Sequence, residues 1–203
     1  RQGFVEISIG GRGCGIYEVD MKEPVVVIEN MNTALKEPFN KSPKMQEILK
    51  ETHEEMQRAL TEINPGGLVL SFNAELMNQR IIDIVTDING VPDRQLKERV
   101  LGEYMCVPFG KIFRGVAVPN TVTKTLHTEK MFSPTLDSFI IKEYPMYAKM
   151  GNQIKTIKSF DRPIILVDDL LHKGYRMNEI DPILKSNDVE VVETVVGVQT
   201  GRG

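Results

Sequence analysis

The segment RPIILVDDLLHKGYRM, residues 162–177, ends an apolar run in two adjacent carboxylates and follows them with a turn carrying Lys173, Gly174 and Arg176. Asp168 and Asp169 can accept hydrogen bonds from a vicinal diol, and they can hold Mg2+ directly or through water. Side chains alternate along an extended backbone, so one carboxylate can face a ligand while its neighbour faces elsewhere. Gly174 permits a tight turn whose backbone N–H groups aim at a phosphate, with Lys173 and Arg176 supplying charge. A sugar phosphate asks for this combination, whereas a buried strand end has no use for it. The plain alternative is a solvated turn after a core strand; strand, acids and glycine turn occurring together favour the ligand.

Such a group needs a frame, and the order of elements supplies one. LVLSF (residues 68–72), YMCVPF (104–109), PIILV (163–167) and VEVVETVVGV (189–198) read as short, nearly continuous apolar strands. Ala74, Met77, Ile81, Ile84, Val85 and Ile88 mark a helical stripe closed by Asn89 and Gly90, and a smaller helix is expected around Leu96 and Val100. A further short helical segment separates the last two strands. This is the pattern of an α/β fold, a mainly parallel sheet with helices on both faces. Ligands in such sheets settle beyond the carboxyl ends of the strands, which is where Asp168 and Asp169 are expected. Asp181 followed by Pro182 reads as the cap and first residue of a helix, leaving residues 174–180 in a loop; a helix from Tyr175 would have to tolerate Pro182 as a kink.

Ahead of this core, residues 4–19 alternate around a glycine cluster and predict a β-hairpin, and residues 23–30 a strand. Ser42 and Pro43 predict a helix start, followed by a stripe of Met45, Ile48, Leu49, Thr52, Met56, Leu60 and Ile63. His53, among glutamates, reads as part of a solvated helix face. The chain thus divides into residues 1–65, a hairpin, strand and helix packing on the core, and residues 66–203, the α/β core. Residues 111–150 break the pattern with three prolines and many threonines, and predict hairpins or a β-rich excursion of the kind that forms lids. Within it Lys111, Arg114, Lys124, His127 and Lys130 face one acid, Glu129.

Composition narrows the partners. A chain of 203 residues with 26% charged residues can bury a core without disulfides or metal. A net charge of -3 offers no global field for nucleic acid or an anionic membrane, so an anion must be held by a local cluster. No apolar run approaches the length needed to cross a bilayer, and no leader is expected. Cys14 and Cys106, far apart and beside no histidine, suit reduced thiols in a cytoplasmic protein. A start at Arg1 is read as a fragment or a trimmed chain, a terminal TGRG as a frayed end or a second anion-binding turn, and a homodimer is allowed.

From Ile164 to Arg176 the chain resembles the phosphoribosyl pyrophosphate (PRPP) loop of type I phosphoribosyltransferases: hydrophobic strand, two acids, two apolar residues, then a glycine-bearing turn. The resemblance extends more loosely, through element order, over Gly67 to Gly203. It implies that Asp168 and Asp169 contact ribose hydroxyls as the catalytic acids and meet Mg2+. It implies that His172, Lys173, Gly174, Tyr175 and Arg176 form the phosphate turn, and that Ser71, Phe72 and Asn73 stand where a pyrophosphate loop belongs. The region at about 111–150 would be the hood, with Lys111, Arg114 and Lys124 as its phosphate-side cations. The implied reaction is transfer of a phosphoribosyl group to a nitrogenous acceptor. The family's turn carries threonine or serine around its glycine, where this chain has His172, Lys173, Tyr175 and Arg176. That replacement keeps a second reading open, a non-catalytic domain of a larger protein that senses PRPP or a nucleotide. A third reading is a partner-binding α/β domain without phosphorylated ligand.

Overall fold

The computed structural model describes residues 2–8, 14–20, 24–30, 35–91, 100–110 and 117–200. The chain forms two compact units, Arg1–Glu75 and Leu76–Gly203. Among the described residues no helix is long and apolar enough to cross a membrane.

In the first unit β1 (Gln2–Ser8) and β2 (Cys14–Asp20) form the expected antiparallel hairpin, in register from Gln2↔Asp20 to Ser8↔Cys14. Its glycine turn lies outside the described residues. β3 (Val25–Glu29) and β4 (Val69–Asn73) pair in parallel, with α1 (Pro43–Ile63) in the connection that parallel pairing requires. Pro43 takes the first helical position as predicted, but the Ser42 side chain makes no capping hydrogen bond. The apolar stripe is also rotated from its predicted line: Ile48 and Ile63 are 41% and 73% exposed. Half-buried Met45, Leu49, Met56 and Leu60 instead share the inner face with His53 and Gln57. His53 is therefore not a solvated bystander, since its Nδ1 lies 2.7 Å from Glu29 Oε2 at the end of β3. Periodicity within one helix cannot reveal a carboxylate waiting on a neighbouring strand. LVLSF, too, pairs with β3 in the first unit and does not join the larger sheet.

The second unit contains most of α2 (Ala74–Asn89), then β5 (Met105–Pro108), β6 (Val122–Thr123), β7 (Thr128–Phe132), β8 (Phe139–Glu143), α3 (Met150–Lys158), β9 (Ile164–His172), α4 (Tyr175–Ser186) and β10 (Val191–Thr200). Four strands in the order β10-β9-β5-β6 form a sheet in which every pairing is parallel. Its two faces are read directly from strand parity. Met105, Val107, Ile164 and Leu166 join Ile154 and Ile157 of α3 and Ile180 and Leu184 of α4 in one buried cluster. Cys106, Ile165 and Val167 join Ile81 and Val85 of α2 in the other. Burial on both faces is why these strands are apolar without alternation. The α2 stripe packs as predicted, and the helix ends with Gly90 at φ 61°. The Val91 N–H then reaches the Thr86 carbonyl and the Gly90 N–H that of Asp87, a double bond pattern that closes a helix on a left-handed glycine.

Four expectations change. First, β9 does not stop at Val167 but runs to His172, because β10 pairs with it as far as Thr200↔His172. Second, α4 begins at Tyr175 and carries Pro182 inside it, so the Asp181 cap and the 174–180 loop are not formed. Third, residues 117–149 are only partly an excursion, since β6 joins the sheet beside β5 and only β7 and β8 stand apart as an antiparallel hairpin. Fourth, α3 occupies a segment for which no element was expected; Ile154 and Ile157, three residues apart and buried, are the signal it offered. The predicted helix around Leu96 lies outside the described residues, apart from Val100.

Candidate functional site

The site follows from unequal strand lengths. Pairing between β5 and β9 ends at Pro108↔Val167, whereas β9 continues against β10. Asp168 and Asp169 therefore lie within a strand, yet immediately past the carboxyl end of its β5 neighbour. There the chain leaves β5 as Phe109 and Gly110, with the Phe109 N–H still bonded to the Val167 carbonyl at 3.0 Å.

Parity starts the two acids on opposite faces of β9, yet their carboxyls meet in a side-chain hydrogen bond and both lie beside Gly110. Asp168 is 2% exposed. Its Oδ1 accepts the Asp169 N–H at 2.9 Å, and its Oδ2 lies 3.6 Å from Arg176 Nη1. Arg176 also donates from Nη1 to the Phe109 carbonyl at 3.4 Å, an acceptor shared with the Thr128 hydroxyl. Asp169 is half-buried, and its Oδ1 accepts the Leu170 N–H at 2.9 Å.

Two glycines make room for this arrangement. A Cβ on Gly110 would fall 1.6 Å from Asp168 Oδ1 and 3.1 Å from Asp169 Oδ1. A Cβ on Gly197 of β10 would fall 2.8 Å from the Asp169 carbonyl oxygen and 2.3 Å from Met77 Sδ. Neither position was singled out from the sequence, although a glycine directly after a buried strand is a sign of close backbone approach.

Burial pushes the Asp168 carboxyl up to about 8, helped by the hydrogen bond and charge of Asp169 and opposed by Arg176. At neutral pH such a group keeps its proton and can donate one hydrogen bond as well as accept. Among the described residues no group of three or more His, Cys, Asp or Glu could hold a metal.

The turn after β9 is built from two consecutive left-handed residues, Lys173 at φ 51° and Gly174 at φ 66°. It delivers α4 with no side chain capping its start. The first helical bond runs from the Asn178 N–H to the Gly174 carbonyl at 2.9 Å, leaving the preceding amides without helical partners. An uncapped helix start concentrates partial positive charge and suits an anion. His172 ends β9 exposed, its ring 6.4 Å from that of Tyr175, which in turn lies 6.4 Å from the Phe139 ring of β8.

The structure thus brings Asp168, Asp169 and Arg176 together with Phe109 and Gly110, and sets His172, Lys173, Gly174 and Tyr175 on the adjoining turn. Ser71, Phe72 and Asn73 are the last residues of β4 in the first unit, where they pair with Val27, Ile28 and Glu29 as strand residues. Lys124 is exposed beyond β6, its N–H bonded to the Cys106 carbonyl. Lys111 and Arg114 lie outside the described residues, as does Arg202. His127 stacks on Tyr147 at 3.8 Å, with Gln153 bonded to its backbone on both sides. A cavity of about 170 Å³ lies at the opposite, amino end of β9 and β10, among Ile157, Arg162, Pro163 and Val189. There Lys158 pairs with Asp188, and Arg162 donates to the Gly102 carbonyl, so its cations serve the fold. Comparison of the chain with protein-family models, with curated proteins and with solved structures found no match.

Proposed function

We propose that the second unit binds PRPP or a nucleoside monophosphate where β9 passes into α4, and transfers a phosphoribosyl group between PRPP and a nitrogenous acceptor. The observation that carries this reading is the reach of Arg176, in the first turn of α4, back to Asp168 at 3.6 Å. A helix start suited to phosphate and an acid suited to a sugar hydroxyl are thus one side chain apart. A pentose phosphate has the same two chemical ends.

In this reading Asp168 and Asp169 orient the pentose through its hydroxyls, while Lys173, Arg176 and the open amides of α4 hold its phosphorylated end. Bond cleavage at the anomeric carbon builds positive charge on the sugar and negative charge on the departing pyrophosphate. Fixed positive groups where that negative charge grows lower the barrier. The β7–β8 hairpin is the part of the proposed hood that stands beside the turn, through Phe139 and Tyr175.

A second reading, binding without chemistry, is favoured by the turn itself, where His172, Lys173, Tyr175 and Arg176 surround Gly174 and no serine or threonine hydroxyl is available. Thermal shift with PRPP, nucleoside monophosphates and pyrophosphate, each with and without Mg2+, tests ligand binding, since a ligand preferring the folded state raises apparent stability. Asp168→Asn with Asp169→Asn is expected to abolish the shift, and retention of the full shift would remove the assigned site. Pyrophosphate release with candidate bases then separates catalyst from sensor.

A further inference from the structure

We infer that Lys130, carried on the inner face of the β7–β8 hairpin, acts with Arg176 as a cation pair that selects ligands bearing phosphate. This rests on reading the β9–α4 junction as a sugar-phosphate site, and adds a residue from another element to it.

The hairpin register decides which way Lys130 faces. Thr128↔Glu143, Lys130↔Ile141 and Phe132↔Phe139 occupy one face, and Glu129↔Lys142 and Met131↔Ile140 the other. Thr128 is 2% exposed with its hydroxyl on the Phe109 carbonyl, and Ile141 packs against the buried cluster under α4. Theirs is therefore the inner face. A lysine is expected on the outer face, where Lys142 stands opposite Glu129; an inward lysine needs a partner to justify its partial desolvation.

Its Nζ lies 4.8 Å from the ring centroid of Phe139 on β8, and that ring in turn lies 6.4 Å from the ring of Tyr175, the residue before Arg176 on α4. Burial lowers the Lys130 pKa, the charge of Arg176 lowers it further, and Asp168 works in the opposite direction. Two cations thus converge on one end of the site from different elements: Arg176 reaches the Phe109 carbonyl and Asp168 from α4, and Lys130 lies on the hairpin face whose Thr128 hydroxyl bonds that same carbonyl. A phosphate or pyrophosphate group accepting hydrogen bonds from both cations relieves their repulsion, and it does so without the turn hydroxyls this chain lacks.

Calorimetric titration of ribose 5-phosphate and of inorganic pyrophosphate into the wild type, Lys130→Met, Lys130→Arg and Lys142→Met tests the pair. Loss of a charge-assisted contact predicts that Lys130→Met weakens both ligands about tenfold or more, Lys130→Arg stays within about threefold, and Lys142→Met changes neither. Ligand-free Lys130→Met is expected to melt at or above the wild type, because the repulsion with Arg176 is gone; that separates lost binding from lost folding. Unchanged binding by Lys130→Met, with binding abolished by Asp168→Asn and Asp169→Asn, would overturn the inference and leave the site standing. Equal weakening by Lys130→Met and Lys142→Met would reduce it to diffuse surface charge and overturn it as well. A wild type that binds neither ligand would remove the site reading, and the inference with it.

Discussion

Gly110 presses on Asp168 so closely that no side chain can be added there, a Cβ at this position falling 1.6 Å from the carboxylate Oδ1. The carboxyl is 2% exposed, so it has no open solvent to retreat into. Gly110→Ala is expected to displace Asp168 and cost roughly 1–3 kcal/mol, the range for overpacking a filled interior. Chemical denaturation measures the loss, and thermal shift with PRPP is expected to show no ligand stabilisation in this variant.

The buried acid makes stability depend on pH in a defined direction. Unfolded, Asp168 releases its proton near 3.8; folded, burial holds the proton up to about 8. Between those values the native state binds a proton that the unfolded state has lost, so stability falls as pH rises from about 4 to about 8 and then levels off. Asp168→Asn, neutral and nearly isosteric, is expected to flatten this slope. In urea titrations of the ligand-free protein the variant should match the wild type near the acid end of the window and exceed it above about pH 8.

Lys173 pays in backbone strain for its place in the turn, with φ at 51° in the left-handed region. Glycine relieves roughly 1–2 kcal/mol of such strain and returns roughly half of that through the freer unfolded chain. Lys173→Gly is thus expected to stabilise the protein by about 0.5–1 kcal/mol while weakening ribose 5-phosphate binding. Opposite signs in the melting curve and the titration would mark a residue retained for its charge.

Pro182 sits inside α4 on its exposed side and cannot donate to the Asn178 carbonyl one turn earlier. Its neighbours already hold the helix, Ile180 and Leu184 being buried and Lys185 paired with Asp181 at 2.6 Å. Pro182→Ala is expected to raise stability by roughly 1–3 kcal/mol, read as an increased denaturation midpoint. A decrease would mean that the proline sets the angle at which α4 leaves the turn.

Much of this molecule was legible in one dimension, for reasons of local physics. The short apolar runs became β5 and β9 because a strand buried on both faces needs no alternation, a third became β10 at the end of the sheet, and the α2 stripe packed where its spacing of three and four put it. The pairing of acids with a left-handed glycine turn was equally local. What a neighbour had to decide was not. The length of β9 is set by β10, and the opening beside Asp168 exists because β5 stops sooner. The inward turn of His53 answers to Glu29 on another strand, and Lys130 faces inward because of its pairing register with β8. Pro182 inside a helix is tolerated because Ile180 and Leu184 bury the face beside it. Local propensity acts over a few residues, whereas desolvation and charge pairing act through space, so the sequence by itself determined the elements and the tertiary structure alone decided which charges would meet.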